Sequence, residues 1–191
     1  LYILGTSFNP ANSISTTKIV PRHPTLEHYR NLISDADNPF LLWTWNTLKV
    51  SGITAGASVF LCALGAYAFS RFRFRGRRVG LLAVLLVQMF PQTLGMVAIF
   101  LMMARLGDMV PWLGINTHSG LILVYLGGAM GFNTWLMKGY FDTIPRSLEE
   151  SAKLDGATPF QAFLRIILPL SRPILAVVFV IQFIGTYSEY M

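Results

Sequence analysis

Charge is scarce in this chain. Only 13% of its 191 residues are Asp, Glu, Lys or Arg, against about a quarter in soluble domains. That scarcity, with 53% apolar residues gathered in long runs, excludes an ordinary water-soluble domain and points to an integral membrane protein. Cysteine is nearly absent. The single Cys62 lies inside an apolar run, which excludes an internal disulfide and leaves a packing role. No Gly-x-x-x-x-Gly-Lys-Ser/Thr phosphate loop occurs, which argues against ATP binding by this chain. No His-Glu-x-x-His or comparable ligand cluster occurs, which argues against a metal enzyme. No early charged-then-apolar segment with a small-residue cleavage site is visible. The chain opens on Leu1 and its last apolar run reaches Met191, so it reads as a piece clipped at both ends.

Four apolar runs are long enough to cross a hydrocarbon core, which takes about 20 helical residues. They are Leu48–Phe69, Val79–Ala104, Ser119–Met137 and Ile174–Met191, with Leu1–Leu4 as the tail of an earlier span. The net charge of +6 is distributed in a way that fixes direction. Arg71, Arg73, Arg75, Arg77 and Arg78 crowd one gap, and Lys138, Arg146, Lys153, Arg165 and Arg172 occupy another. By the positive-inside rule these two gaps are cytoplasmic, and the 5–47 and 105–118 segments face outward. The alternating Phe69, Arg71, Phe72, Arg73, Phe74 and Arg75 has the look of a nucleic-acid stacking platform. Beside a span it is better read as topology and as contact with anionic lipid, with no nucleic acid involved. Trp43, Trp45, Trp112 and Trp135 stand near span ends, where amphipathic rings favour the interface. Gly52-xxx-Gly56 and Gly127-xxx-Gly131 present small faces suited to close helix packing.

Polar residues within the runs are candidates for a solute pathway. Gln88 and Gln92 flank Phe90-Pro91, share a helical face, and sit where Pro91 should kink the span. Asn133 lies near the cytoplasmic end of the third run. For these three, interhelical hydrogen bonding competes with a lining role. Glu189 would stand about 24 Å along a helix opened by Pro173, at 1.5 Å per residue, where a carboxylate needs water or a partner.

Between the third and fourth runs lies a polar island, residues 138–173. Pro145 breaks the preceding helix, and Ser147 with Glu150 has the spacing of a capping box. Asp155-Gly156 should turn the chain, Thr158-Pro159 should cap a second helix, and Pro169 should stop it. Phe160 and Phe163 should pack that helix on the span ends. Ala152, Gly156 and Ala157 leave a small-sided knob ringed by Glu149, Glu150, Lys153 and Asp155, a shape suited to a partner's cleft.

The island resembles the signature of permease subunits of ATP-binding-cassette importers. That signature runs Glu-Ala-Ala, three residues, Gly, nine residues, Ile-x-Leu-Pro. Here Glu150, Ala152, Gly156, Ile166, Leu168 and Pro169 stand in register, with Ser151 replacing the first alanine. The wider chain is similar to maltose-type sugar permeases through Phe90-Pro91-Gln92, Leu106-Gly107-Asp108, Gly114-Ile115-Asn116-Thr117-His118, Tyr125-Leu126-Gly127-Gly128, Lys138-Gly139-Tyr140-Phe141 and Leu154-Asp155-Gly156-Ala157-Thr158-Pro159.

The resemblance implies an all-α polytopic bundle of the type I importer permease fold, with four to five of six spans present. Residues 1–4 would close a first span, 5–47 form an outer loop, and 48–191 make the permease core. It further implies a bacterial cytoplasmic-membrane protein that carries a di- or oligosaccharide and is not itself an ATPase. Partners would be a cassette ATPase dimer holding ATP and magnesium, a second homologous permease, an extracytoplasmic solute-binding protein and membrane lipid. No cofactor is expected on this chain. Glu149, Glu150, Ser151, Ala152, Lys153, Asp155, Gly156 and Ala157 would dock on the ATPase, with Glu150 pairing a basic residue there. Competing readings are an ion-coupled carrier with Glu189 as proton site, a permease for a non-sugar solute, and a non-transporting scaffold.

Overall fold

The computed structural model describes residues 2–9, 24–35, 37–89 and 92–189. The chain divides into two compact units, Leu1–Leu48 and Lys49–Met191. In the first unit, α1 is Tyr2–Ser7 and α2 is Glu27–Ser34. The hydroxyls of Ser7 and Tyr29 meet at 2.6 Å, and the Phe8 and Tyr29 rings lie 5.5 Å apart. After α2, the Asp35 carboxylate accepts from the Asn38 side-chain amide and from the Asp37 and Asn38 backbone N–H groups. These bonds, that to Asn38 foremost, hold its pKa below the ordinary carboxylate value. The segment expected as an outer loop therefore carries helix α2.

The first long helix, α3, is Phe40–Arg71. Its 32 residues would run about 48 Å. Leu, Ala, Ser and Gly dominate it, and Pro is absent, so nothing interrupts the hydrogen-bond ladder. In the second unit its buried residues Val50, Ser51, Thr54, Ala55, Ser58, Cys62, Ala63, Ala66, Tyr67 and Ser70 recur at helical spacing and form one face. They are mostly small, so packing there is close. Cys62, Ala63, Ala66 and Tyr67 join Met137, Phe141, Phe163, Ile167 and Val178 in one apolar core.

In the run expected as a second span, the described residues form two helical stretches on either side of residues 90–91. Helix α4 is Arg77–Gln88 and α5 is Gln92–Met109. Phe90, Pro91 and the side chain of Gln92 lie outside the described residues. Beyond α5, a 3₁₀ turn at Pro111–Leu113 brings Gly114 onto Gly107. A Cβ on Gly107 would fall 2.8 Å from the Gly114 Cα, so both positions need glycine.

Helix α6 is His118–Thr143. Thr117 caps it, accepting from Gly120 N at 3.0 Å. Helices α7, Ser147–Leu154, α8, Pro159–Leu170, and α9, Arg172–Tyr187, follow, with α8 and α9 bent by 78°. Among the described residues α3 and α6 are long and apolar enough to cross a membrane, and α8 with α9 makes a third span if the bent pair is one. The small-residue faces divide between packed and open positions. A side chain added at Gly52, Gly56 or Gly127 would enter open space. Gly131 is crossed by the side chain of Gln88, which a Cβ there would meet at 2.5 Å.

Candidate functional site

The polar island folds as helix, turn, helix. Asp and Glu favour a helix's first turn and Lys its last. Here Glu149 and Glu150 open α7 and Lys153 closes it. The expected capping box at Ser147 does not form. Arg146 occupies the cap position with φ −66° and ψ −25°, already helical, and no side chain caps this end. Ser147 is thus inside the helix, where its hydroxyl lacks the extended geometry a cap requires. Glu150 has no box partner there.

The other end of α7 closes as the turn residues dictate. Gly156 N–H donates to Lys153 O at 3.0 Å, and Ala157 N–H reaches back to Ala152 O at 2.9 Å. This pair of bonds is a Schellman motif, and Gly156 takes the left-handed φ of +85° that it demands. Thr158 then caps α8 as expected. Its Oγ1 accepts from Gln161 N at 3.2 Å, and Gln161 Oε1 accepts from Thr158 N at 2.8 Å. Pro159 fills the first helical turn.

Pro169 does not stop α8. Residues Phe163–Ile167 widen into a π turn, in which Leu168 N–H donates to Phe163 O, and the helix continues through Leu170. A proline ring collides with the carbonyl four residues back, here that of Arg165. The widened turn shifts that carbonyl row and lets the helix pass Pro169 before bending at Ser171. Phe163 packs on the span ends as expected, fully buried 4.9 Å from the Tyr67 ring. Phe160 does not: it is 56% exposed.

The root of the motif is polar and sealed. Glu149 is 4% exposed, unlike its neighbour Glu150, which faces outward. Arg71 Nε donates to Glu149 Oε1, and Arg71 Nη2 donates to Ile144 O at 2.9 Å. The Tyr67 hydroxyl lies 3.0 Å from Glu149 Oε2 and 3.1 Å from Pro159 O. Beside it Ser70 Oγ donates to Asp142 Oδ1 at 2.6 Å, and Lys138 pairs with the same carboxylate at 2.5 Å. Nothing in the sequence spacing joins residues 67–71 to 142–149, so this cluster was not foreseen.

The tip is open. Glu150, Ser151, Lys153, Asp155 and Gly156 are exposed, Ala152 and Ala157 are half-buried, and Leu154 is 90% exposed. Leu154 thus stands bare at the turn among charges of both signs.

The candidate pathway residues separate. Gln88 Nε2 donates to Gly128 O at 2.6 Å, tying α4 to α6. Asn133 is buried and donates to Gln182 Oε1 at 3.2 Å, and Gln182 donates to Thr186 Oγ1 at 3.3 Å. This relay joins α6 to α9, and the sequence reading missed Gln182 and Thr186. Glu189 follows the last helical residue of α9, Tyr187, and is exposed.

Residues 59–191 match the family described as "Binding-protein-dependent transport system inner membrane component". The chain is 46% identical over 200 residues to the maltose/maltodextrin transport system permease protein MalG of Vibrio vulnificus strain YJ016, covering 99% of this chain and 67% of that protein. It is 44% identical over 192 residues to the galactooligosaccharides transport system permease protein GanQ of Bacillus subtilis strain 168, covering 100% of this chain and 66% of that one. Among solved structures it is similar to a chain of a bacterial ABC transporter involved in the import of the acidic polysaccharide alginate. The TM-score is 0.79 at 29% identity, over 100% of this chain and 64% of that chain. The chain spans about two thirds of the length of these relatives.

Proposed function

Because this chain belongs to the family of binding-protein-dependent transport system inner membrane components, we propose that it is the permease subunit of an ATP-binding-cassette importer. It carries a di- or oligosaccharide across the cytoplasmic membrane and contains no ATPase site of its own. A separate cassette ATPase dimer holds ATP and magnesium. A second permease subunit completes the channel, and a solute-binding protein delivers the sugar from outside. The substrate class rests on the relatives, a maltose/maltodextrin permease and a galactooligosaccharide permease. The bare apolar surface of α5, including Leu94, Val97, Phe100 and Leu101, fits a helix covered by lipid or by the second subunit.

One observation carries the coupling half of this reading: the helix-turn-helix has a sealed root and an open tip. The fixed root gives the exposed tip, with Glu150, Lys153, Leu154 and Asp155, a rigid base from which to meet a partner. Docked in a cleft, the tip moves with the ATPases when they close on ATP, and the spans rock around the solute cavity. Glu150 offers an exposed carboxylate to a basic residue, and Gly156 keeps the turn tight enough to enter.

The test uses the full-length subunit co-expressed with its ATPase and second permease. Glu150→Lys reverses the tip's charge, and Gly156→Arg blocks the turn. Each should lower both sugar uptake and the amount of ATPase that co-purifies. Normal uptake with normal co-purification in both variants would exclude docking through this tip. Uptake of labelled maltodextrin against galactooligosaccharide, by the parent, sorts the substrate.

A further inference from the structure

Tyr67 and Arg71 stand one turn apart on the same face of α3. Between them they hold three separate segments. Arg71 donates to Glu149 on α7 and to the Ile144 carbonyl just past α6. The Tyr67 hydroxyl has one proton and two acceptors in reach, Glu149 Oε2 on α7 and Pro159 O on α8. One helix end therefore grips both limbs of the helix-turn-helix. The Arg71 and Glu149 side chains are 7% and 5% exposed. A buried ion pair is favourable only while its geometry is kept, so its partners move together or lose the bond.

The elements leaving this cluster are unequal levers. Helix α8 contains a π turn and meets α9 at a 78° bend. Helix α3 continues unbroken for 32 residues. A displacement of α7 delivered through Glu149 thus reaches α3 directly, and α3 carries it without a break.

We infer that Tyr67, Arg71 and Glu149 are positioning residues for energy coupling, a linkage that passes movement of α7 and α8 to α3. The linkage rests on the importer reading above. Glu150 and the tip receive the push, and Glu149 transmits it. The two glutamates divide one task between them.

The experiment uses the full-length subunit assembled with its ATPase and second permease in lipid nanodiscs. Two quantities are read: retention of the ATPase subunit, and the ratio of ATP hydrolysis with and without sugar-loaded binding protein. The informative variant is the double substitution Arg71→Met with Glu149→Leu. It removes both charges, leaves no buried unpaired ion, and so separates stability from linkage. The double variant should retain the ATPase while the ratio falls about tenfold. Tyr67→Phe, which removes a single oxygen, should lower the ratio by less in the same direction. A double variant that keeps the parental ratio overturns the inference. If the double variant does not assemble, Tyr67→Phe decides, and a parental ratio there overturns it. A parent complex that never retains the ATPase overturns the importer reading and this linkage together. A parent that couples normally beside an unaffected variant overturns the linkage alone.

Discussion

Glu149 and Glu150 are adjacent in sequence and opposite in environment. One residue of helix rotates a side chain by about 100°. That rotation places Glu149 against Arg71 and Tyr67 in a sealed pocket and leaves Glu150 in the open. The same contrast divides the whole motif. Its root is buried and bonded to α3 and α6, and its tip is bare and carries Leu154 outward. A surface meant for a partner must be exposed, but it transmits force only if its other side is fixed. The two glutamates show both requirements met within two residues.

The strongest way to break this comparison is to truncate each glutamate. Glu149→Ala leaves the Arg71 guanidinium buried without its counter-ion, and removing one partner of such a pair costs about 3–5 kcal/mol. Glu150→Ala removes an exposed side chain and should change stability by about 0.5 kcal/mol at most. Heating the solubilised full-length subunit and following its monodisperse fraction by size-exclusion chromatography reads both. Equal loss of thermal stability would mean that the root is not sealed as described.

Much of this was legible beforehand. The membrane class, the helix-turn-helix of the polar island and its glycine turn followed from apolar runs, Thr158-Pro159 and Asp155-Gly156, because each depends on local composition. What the sequence concealed depends on contacts distant in the chain. Glu149 reads like Glu150 until Arg71 is brought beside it, 78 residues away. Gln182 reads as one more amide until Asn133 faces it. Gly52 and Gly56 promised a packed face that no part of the described chain fills. Pro169 was expected to end a helix, because the rule for a proline assumes an α turn and not a π turn. Family resemblance added the tip's register, but it says nothing about which of two adjacent glutamates turns inward.

A second, smaller break concerns the turn that separates root from tip. Gly156→Val forces a β-branched side chain into the left-handed region, at a cost of about 1–2 kcal/mol. No neighbour lies within 4 Å of a Cβ there, so the penalty is conformational and not a clash. The heating assay should show a modest loss of stability, while ATPase retention should fall more steeply because the tip is redirected. Stability and retention falling in proportion would count against a docking role for the turn.

The finest comparison sets the two helix starts against each other. Both present a hydroxyl three residues before an acid or amide, Ser147 before Glu150 and Thr158 before Gln161. Only Thr158 makes the reciprocal bonds. Its backbone is extended, with φ −69° and ψ 158°, so Oγ1 can turn back onto Gln161 N–H. Ser147 follows an already helical Arg146 and has no such freedom. Thr158→Ala should therefore cost about 1 kcal/mol, and Ser147→Ala only a few tenths. The difference is small but measurable as separate midpoints in the same heating assay. Equal costs would show that Ser147 does cap α7, and would return Glu150 to a structural role at the helix start.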